Sequence, residues 1–189
     1  MDDNSIPTIK GVFVNSHISQ LRKSHGEEKV EEFKRSYGKP VEFSNTQDIS
    51  IRDEVELLET IVDITTDSKL EPKERSLEAG RLHFRNFSNT SFAGILFSTV
   101  PKTPEGFKKL LLNSDYIVNN IFKNTEFESA VVNDKKLKVT MGKNDYPKEH
   151  FQGLLEEWAI YFGLEKSSVH ASENKDGQYE YIITYYDSF

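Results

Sequence analysis

The chain has no cysteine among its 189 residues. That excludes disulfides, thiolate metal centres and a cysteine nucleophile, and it suits a reducing, cytoplasmic setting. It also lacks a long apolar run. The longest, Phe92 to Val100, is interrupted by Gly94 and Ser98 and falls well short of the ~20 residues that cross a bilayer. Met1-Asp2-Asp3-Asn4-Ser5 is acidic and polar, unlike the charged and apolar regions of a secretory signal. An excess of positive charge is absent too: 24 Lys and Arg face 31 Asp and Glu, a net charge of −7. The basic residues are interleaved with acidic ones, as in Glu27-Glu28-Lys29-Val30-Glu31-Glu32-Phe33-Lys34-Arg35. Nucleic-acid binding needs a clustered cationic face, so no nucleic-acid partner is expected. Phosphate-cradling glycine loops, the Gly-x-Ser-x-Gly elbow and the His-Glu-x-x-His zinc signature are all missing. No catalytic residue, metal ligand or cofactor is assigned.

What is present is aromatic and charged. Thirteen Phe, eight Tyr and one Trp sit in a chain that is 29% charged, enough for a large core inside a solvated surface. The expectation is one α+β domain over residues 1–189, with residues 1–8 flexible. Ile9 to Val14 reads as a strand, followed by helices over 18–23 and 27–36 separated at Gly26 and stopped by Gly38. Ser50 and Asp53 signal a capped helix start, and Ile51, Val55, Leu58 and Val62 form its apolar stripe. A helix from Pro72 to about Phe87 carries Gly80 on its apolar face. A glycine there costs ~1 kcal/mol against alanine, which suggests close approach by a neighbour. Phe92 to Thr99 fits a buried helix better than a strand, and a further helix from Thr103-Pro104 takes in Phe107, Leu110, Leu111, Ile117, Val118, Ile121 and Phe122.

The C-terminal third changes period. Strands over 127–132 and 137–141 flank Asn133-Asp134-Lys135-Lys136. A helix carries Phe151, Leu154, Leu155, Trp158 and Phe162 and ends at Gly163. Strands over 168–172 and 179–185 flank Asn174-Lys175-Asp176-Gly177. Helices first, then strand–strand–helix–strand–strand, predict N-terminal helices packed on a C-terminal antiparallel sheet.

Histidines are the first candidates for chemistry. His17, His25, His83, His150 and His170 show no shared-face spacing, and His83 stands out on an aromatic helix. The bland reading, a half-buried histidine with a hydrogen-bond partner, is the favoured one. Glu156 and Glu157 read as a solvated face. The tentative ligand-binding set is His83, Arg81, Phe84, Phe87, Phe97 and Phe107, an apolar pocket with a polar anchor. Tyr185 and Tyr186 read as exposed and able to meet a protein partner.

Lys10-Gly11-Val12-Phe13, the helices around Gly26 and Gly38, and the final hairpins embracing Tyr146-Pro147 to Gly163 resemble an uncharacterised bacterial family known from myxobacteria and deltaproteobacteria. That family is similar to the haem nitric-oxide-binding domains and the vinyl-reductase-type ligand-binding domains. The resemblance implies a sensor or adaptor rather than an enzyme. Two departures stand against haem: there is no Tyr-x-Ser-x-Arg, and the helix from Pro104 to Lys123 has no histidine. The leading expectation is a non-enzymatic cytoplasmic signalling or adaptor domain that binds a protein partner or an apolar small molecule. The second is a haem or gas sensor using His83, and the third an enzyme assembled from His83, Arg81 and Glu78. A homodimer through the sheet edges and the tyrosine-rich last strand is a further expectation.

Overall fold

The computed structural model describes residues 6–185 except 115–117, 119–120 and 143, so Ile117, Tyr186 and residues 1–5 lie outside the described residues. The first strand, β1 (Thr8–Lys10), is shorter than expected, and helix α1 (Gly11–Tyr37) starts at once. Phe13, Val14, His17, Ile18 and Leu21 are buried at helical spacing, so the 3.6 period wins over the β-branched run read as a strand. Gly26 has φ 81° and ψ 175° and breaks α1 into two helical pieces, as its sequence position suggests.

Strand β2 (Asp48–Ser50) pairs with β1, which also pairs with β3 (Phe122–Lys123), giving an antiparallel sheet in the order β2-β1-β3. Elements of two or three residues are too short to show a period, and Phe122, expected on a helix, lies in one of them. Thr8 pairs with Ser50 and Lys123, so the residues directly before Ile9 are tied into the fold.

Helix α2 (Ile51–Thr65) is capped by Ser50, whose hydroxyl accepts from the Asp53 N–H. Helix α3 (Pro72–Ser88) follows, then α4 (Ser91–Phe97), which resolves the ambiguous apolar run as a helix started by Thr90. Helix α5 (Pro104–Leu112) opens on Thr103, and Ser114, Val118 and Ile121 are also helical.

Strands β4 (Glu126–Asn133) and β5 (Lys136–Gly142), helix α6 (Lys148–Tyr161), and strands β6 (Ser168–Glu173) and β7 (Tyr179–Thr184) complete the chain. The four strands form an antiparallel sheet in the order β4-β5-β7-β6. The fold is the expected α+β arrangement, with helices before a C-terminal sheet. Val139 pairs with Tyr181, and Leu137 and Val169 both pair with Ile183. These side chains are buried together, and α6 covers them, with the Phe151 and Tyr181 rings 5.5 Å apart. Tyr185, read as exposed, is buried; its hydroxyl donates to the Asp134 carbonyl at 3.2 Å, which closes the first hairpin against the last strand.

The α3–α6 contact positions the site. A Cβ on Gly80 would lie 1.7 Å from the His150 carbonyl oxygen, and one on Gly153 would lie 2.0 Å from that of Leu77. Each glycine thus lets the other helix's backbone approach. Gly80→Ala gains ~1 kcal/mol of helix propensity but forces two backbones apart, so a net loss of about 3 kcal/mol is expected. Gly94 in α4 has no atom within 4 Å of its Cβ position, so Gly94→Ala should instead stabilise by about 0.8 kcal/mol. Urea unfolding of both variants checks the pair; equal signs would contradict the close-approach reading.

Candidate functional site

The close contact of α3 and α6 brings side chains one turn on into register. His83 lies three residues after Gly80, and its Nδ1 is 3.2 Å from Nε2 of His150. From α1, His17 reaches the same place. Its Nδ1 accepts from the Asn86 side-chain amide at 3.2 Å, which leaves Nε2 to donate to Glu54 Oε1 at 3.0 Å. Glu54 stands in the first turn of α2, where the helix dipole favours a carboxylate. Its Oε1 is 3.8 Å from His83 Nε2, and its Oε2 accepts a short hydrogen bond from the Tyr146 hydroxyl. Tyr146 enters from the segment before α6 and lies against His150, ring centroids 4.9 Å apart. His17, Glu54, His83, Asn86, Tyr146 and His150 are all buried.

A carboxylate in such a place must be held by its neighbours. Burial alone pushes the Glu54 carboxyl up. The His83 imidazole, the His17 hydrogen bond and the Tyr146 hydroxyl outweigh that and bring it down to about 2. Burial pushes His83 down to about 4 against the opposing pull of Glu54. His150 is held well below the usual imidazole range, first by burial and then by His83. Tyr146 is raised, by burial and by the carboxylate it donates to. At neutral pH this is a single ionised carboxylate with neutral His83 and His150 beside it, and no lysine or arginine pairs with it among the described residues. The Nδ1 of His150 has no hydrogen-bond partner.

Two members of the cluster, His17 and His83, border a cavity of about 60 Å³. Phe13, Phe87, Ile121 and Leu154 border it with them, and its lining is almost wholly apolar. Of the sequence-selected set, His83, Phe84 and Phe87 line this space. Phe97 stands behind them, 6.0 Å from both the Phe84 and Phe87 rings, and Phe107 packs on Trp158. Arg81 is not among the lining residues. Its guanidinium pairs with Glu156 at 2.7 Å and with Glu78, on the outer side of α3. Glu156 is accordingly a helix–helix partner rather than a purely solvated charge. Arg81 and Glu78 do not converge with His83, so the grouping imagined for an enzyme is not assembled.

Sequence reasoning named His17 and His150 among five candidate histidines without joining them to His83, and it missed Glu54, Asn86 and Tyr146. The signal was a polar residue inside an apolar stripe: Glu54 falls between Ile51 and Leu58, and His17 between Val14 and Leu21.

No protein-family model matches the chain, and no curated protein does. Solved structures do match over nearly the whole length, and they are H-NOX domains. One, determined to show how H-NOX is activated, superposes with a TM-score of 0.68 at 21% identity, covering 96% of this chain and 99% of its own. A mutant of the T. tengcongensis H-NOX gives 0.66 at 21% identity, with 95% and 98% covered. The Fe(II) unliganded H-NOX protein from K. algicida gives 0.58 at 15% identity, with 96% and 98% covered. The chain therefore has the fold of the haem nitric oxide/oxygen binding domains. A myxobacterial kinship and a vinyl-reductase-type likeness are not shown.

The fold implies haem, and the residues present do not fit it. The space beside His83 and His17 is about 60 Å³, against roughly 300–1,000 Å³ for sites that hold molecules of that order. The nitrogens of His17 and His83 turn to Glu54, Asn86 and His150 rather than to the cavity. None of the described lining residues is a lysine or arginine that could meet an acidic cofactor edge.

Proposed function

We propose that the chain is a non-enzymatic, cytoplasmic sensor domain that takes a small apolar molecule, of diatomic size or a few heavy atoms, into the cavity beside His17 and His83. The H-NOX fold supports the gas-sensor expectation better than the adaptor expectation, for which no observation speaks. The observation that carries the reading is the cavity itself, an apolar space against a buried polar cluster where α1, α3 and α6 meet. A water needs ~10–15 Å³ of such space, and an apolar cavity of 150 Å³ is known to stay dry and take benzene or xenon. A volume of about 60 Å³ therefore admits a small guest and excludes a large one. Among the described residues no helix is long and apolar enough to cross a membrane.

Xenon tests the chamber. Titration followed by methyl NMR should perturb Ile121 and Leu154 saturably, and Leu154→Phe should abolish the effect while leaving the protein folded. Xenon shifts confined to exposed residues would overturn the reading.

A further inference from the structure

The structure assigns His17, Glu54 and His83 a role that the gas-sensor fold does not supply. We propose that they form a binding site for one divalent first-row transition-metal ion, held between α1, α2 and α3. One ligand atom from each of the three lies within 4.8 Å of the others. Two imidazoles and one carboxylate on one side of an ion form the facial set that suits iron(II) and its neighbours. Metal–ligand bonds of ~2.0–2.2 Å place adjacent ligand atoms ~3.0–3.5 Å apart. The His17 Nε2–Glu54 Oε1 distance of 3.0 Å is already such an edge. His83 Nε2 at 3.8 Å needs to close by a few tenths of an ångström, and that distance is too long for the hydrogen bond that would otherwise join it to Glu54.

The charge and the surroundings point the same way. Glu54 is buried with no lysine or arginine beside it among the described residues, and a buried carboxylate without a cation is costly. Ligating imidazoles need their second nitrogen fixed by a hydrogen bond. Asn86 meets Nδ1 of His17 and His150 meets Nδ1 of His83. Metal binding at His17 Nε2 requires the proton to move to Nδ1, and the Asn86 oxygen can accept the hydrogen bond that this Nδ1–H then donates if the amide turns to face the ring. Tyr146 fixes the far carboxylate oxygen, Oε2, leaving Oε1 to the ion.

The assignment deepens the sensor reading by giving its site a cofactor class, and the two fail separately: metal binding needs no guest in the cavity, and xenon needs no metal. The probe is Co²⁺ titrated into the full chain after dialysis against chelator. One equivalent should bind with visible ligand-field bands, and His17→Ala and His83→Ala should weaken binding by about 100-fold or more, with His25→Ala unchanged. The unaltered protein provides a measurement that does not depend on those variants folding. With nitrogen-15-labelled protein and Zn²⁺, the Nε2 resonances of His17 and His83 should move to metal-bound values, while those of the exposed His25 and His170 stay put. Absence of stoichiometric binding, or binding that moves only His25 or His170, would overturn the proposal.

Discussion

Glu54→Leu should cost about 2–5 kcal/mol of folding stability, the scale of leaving two buried donors unmet. The leucine fills a comparable volume and relieves the burial of a charge, which in isolation favours the variant. The loss comes from the partners left behind. The Nε2 proton of His17 and the hydroxyl of Tyr146 both point at Glu54 in a place no solvent reaches, and each unmet buried donor costs ~1–3 kcal/mol. Glu54→Gln keeps one accepting oxygen and should lose only about 1–2 kcal/mol. Tyr146→Phe leaves the buried Glu54 Oε2 without its donor and should lose about 1.5–3 kcal/mol. Chemical denaturation of the three variants gives the order directly. A Glu54→Leu protein within about 0.5 kcal/mol of the parent would mean that the cluster does not hold α1, α2 and α3 together.

The metal-free protein should also be acid-labile well above the range where carboxylates titrate. Four groups face one another: His17 on α1, Glu54 on α2, His83 on α3 and His150 on α6, with the Tyr146 hydroxyl beside them. His83 is lowered from 6.5 to about 4, and His150 moves in the same direction. The unfolded chain therefore takes up protons below pH 6.5 that the native state refuses, and stability falls as pH falls from there. A displacement of that size corresponds to a loss on the order of 3 kcal/mol by the time pH reaches the folded-state value. Glu54, lowered from 4.5 to about 2, works in the same direction lower down, since its contribution is present above 4.5 and is lost as pH drops toward 2. Thermal midpoints of chelator-treated protein should be flat from about pH 8 to 7 and decline from about 6.5. A decline that begins only below 4.5, where carboxylates alone respond, would contradict the neutral, buried state of His83 and His150.

The fold was legible wherever a period ran long enough. The α2 stripe from Ile51 to Val62, the α6 stripe from Phe151 to Phe162 and both C-terminal hairpins are where sequence spacing puts them. The break at Gly26 and the close approach at Gly80 were readable because glycine inside a helix needs a reason. The small sheet was not, because β1, β2 and β3 hold two or three residues each and their pairing joins positions far apart in the chain. The buried cluster was hidden for a related reason. Its histidines come from α1, α3 and α6, so no local spacing links them, and each looks solitary in the sequence. Glu54 was the available clue, a carboxylate placed where α2 is otherwise apolar.

The chain thus combines the H-NOX fold with an interior histidine–carboxylate cluster. The decisive measurement is to add haemin to the protein and to its His83→Ala variant and record the Soret region. No stoichiometric, sharpened Soret band is expected in either protein, because the imidazoles are turned to one another and to Glu54 and the cavity is about 60 Å³. A one-to-one haem complex whose Soret shift disappears in His83→Ala would show instead that His83 ligates haem and that the cluster opens to admit it.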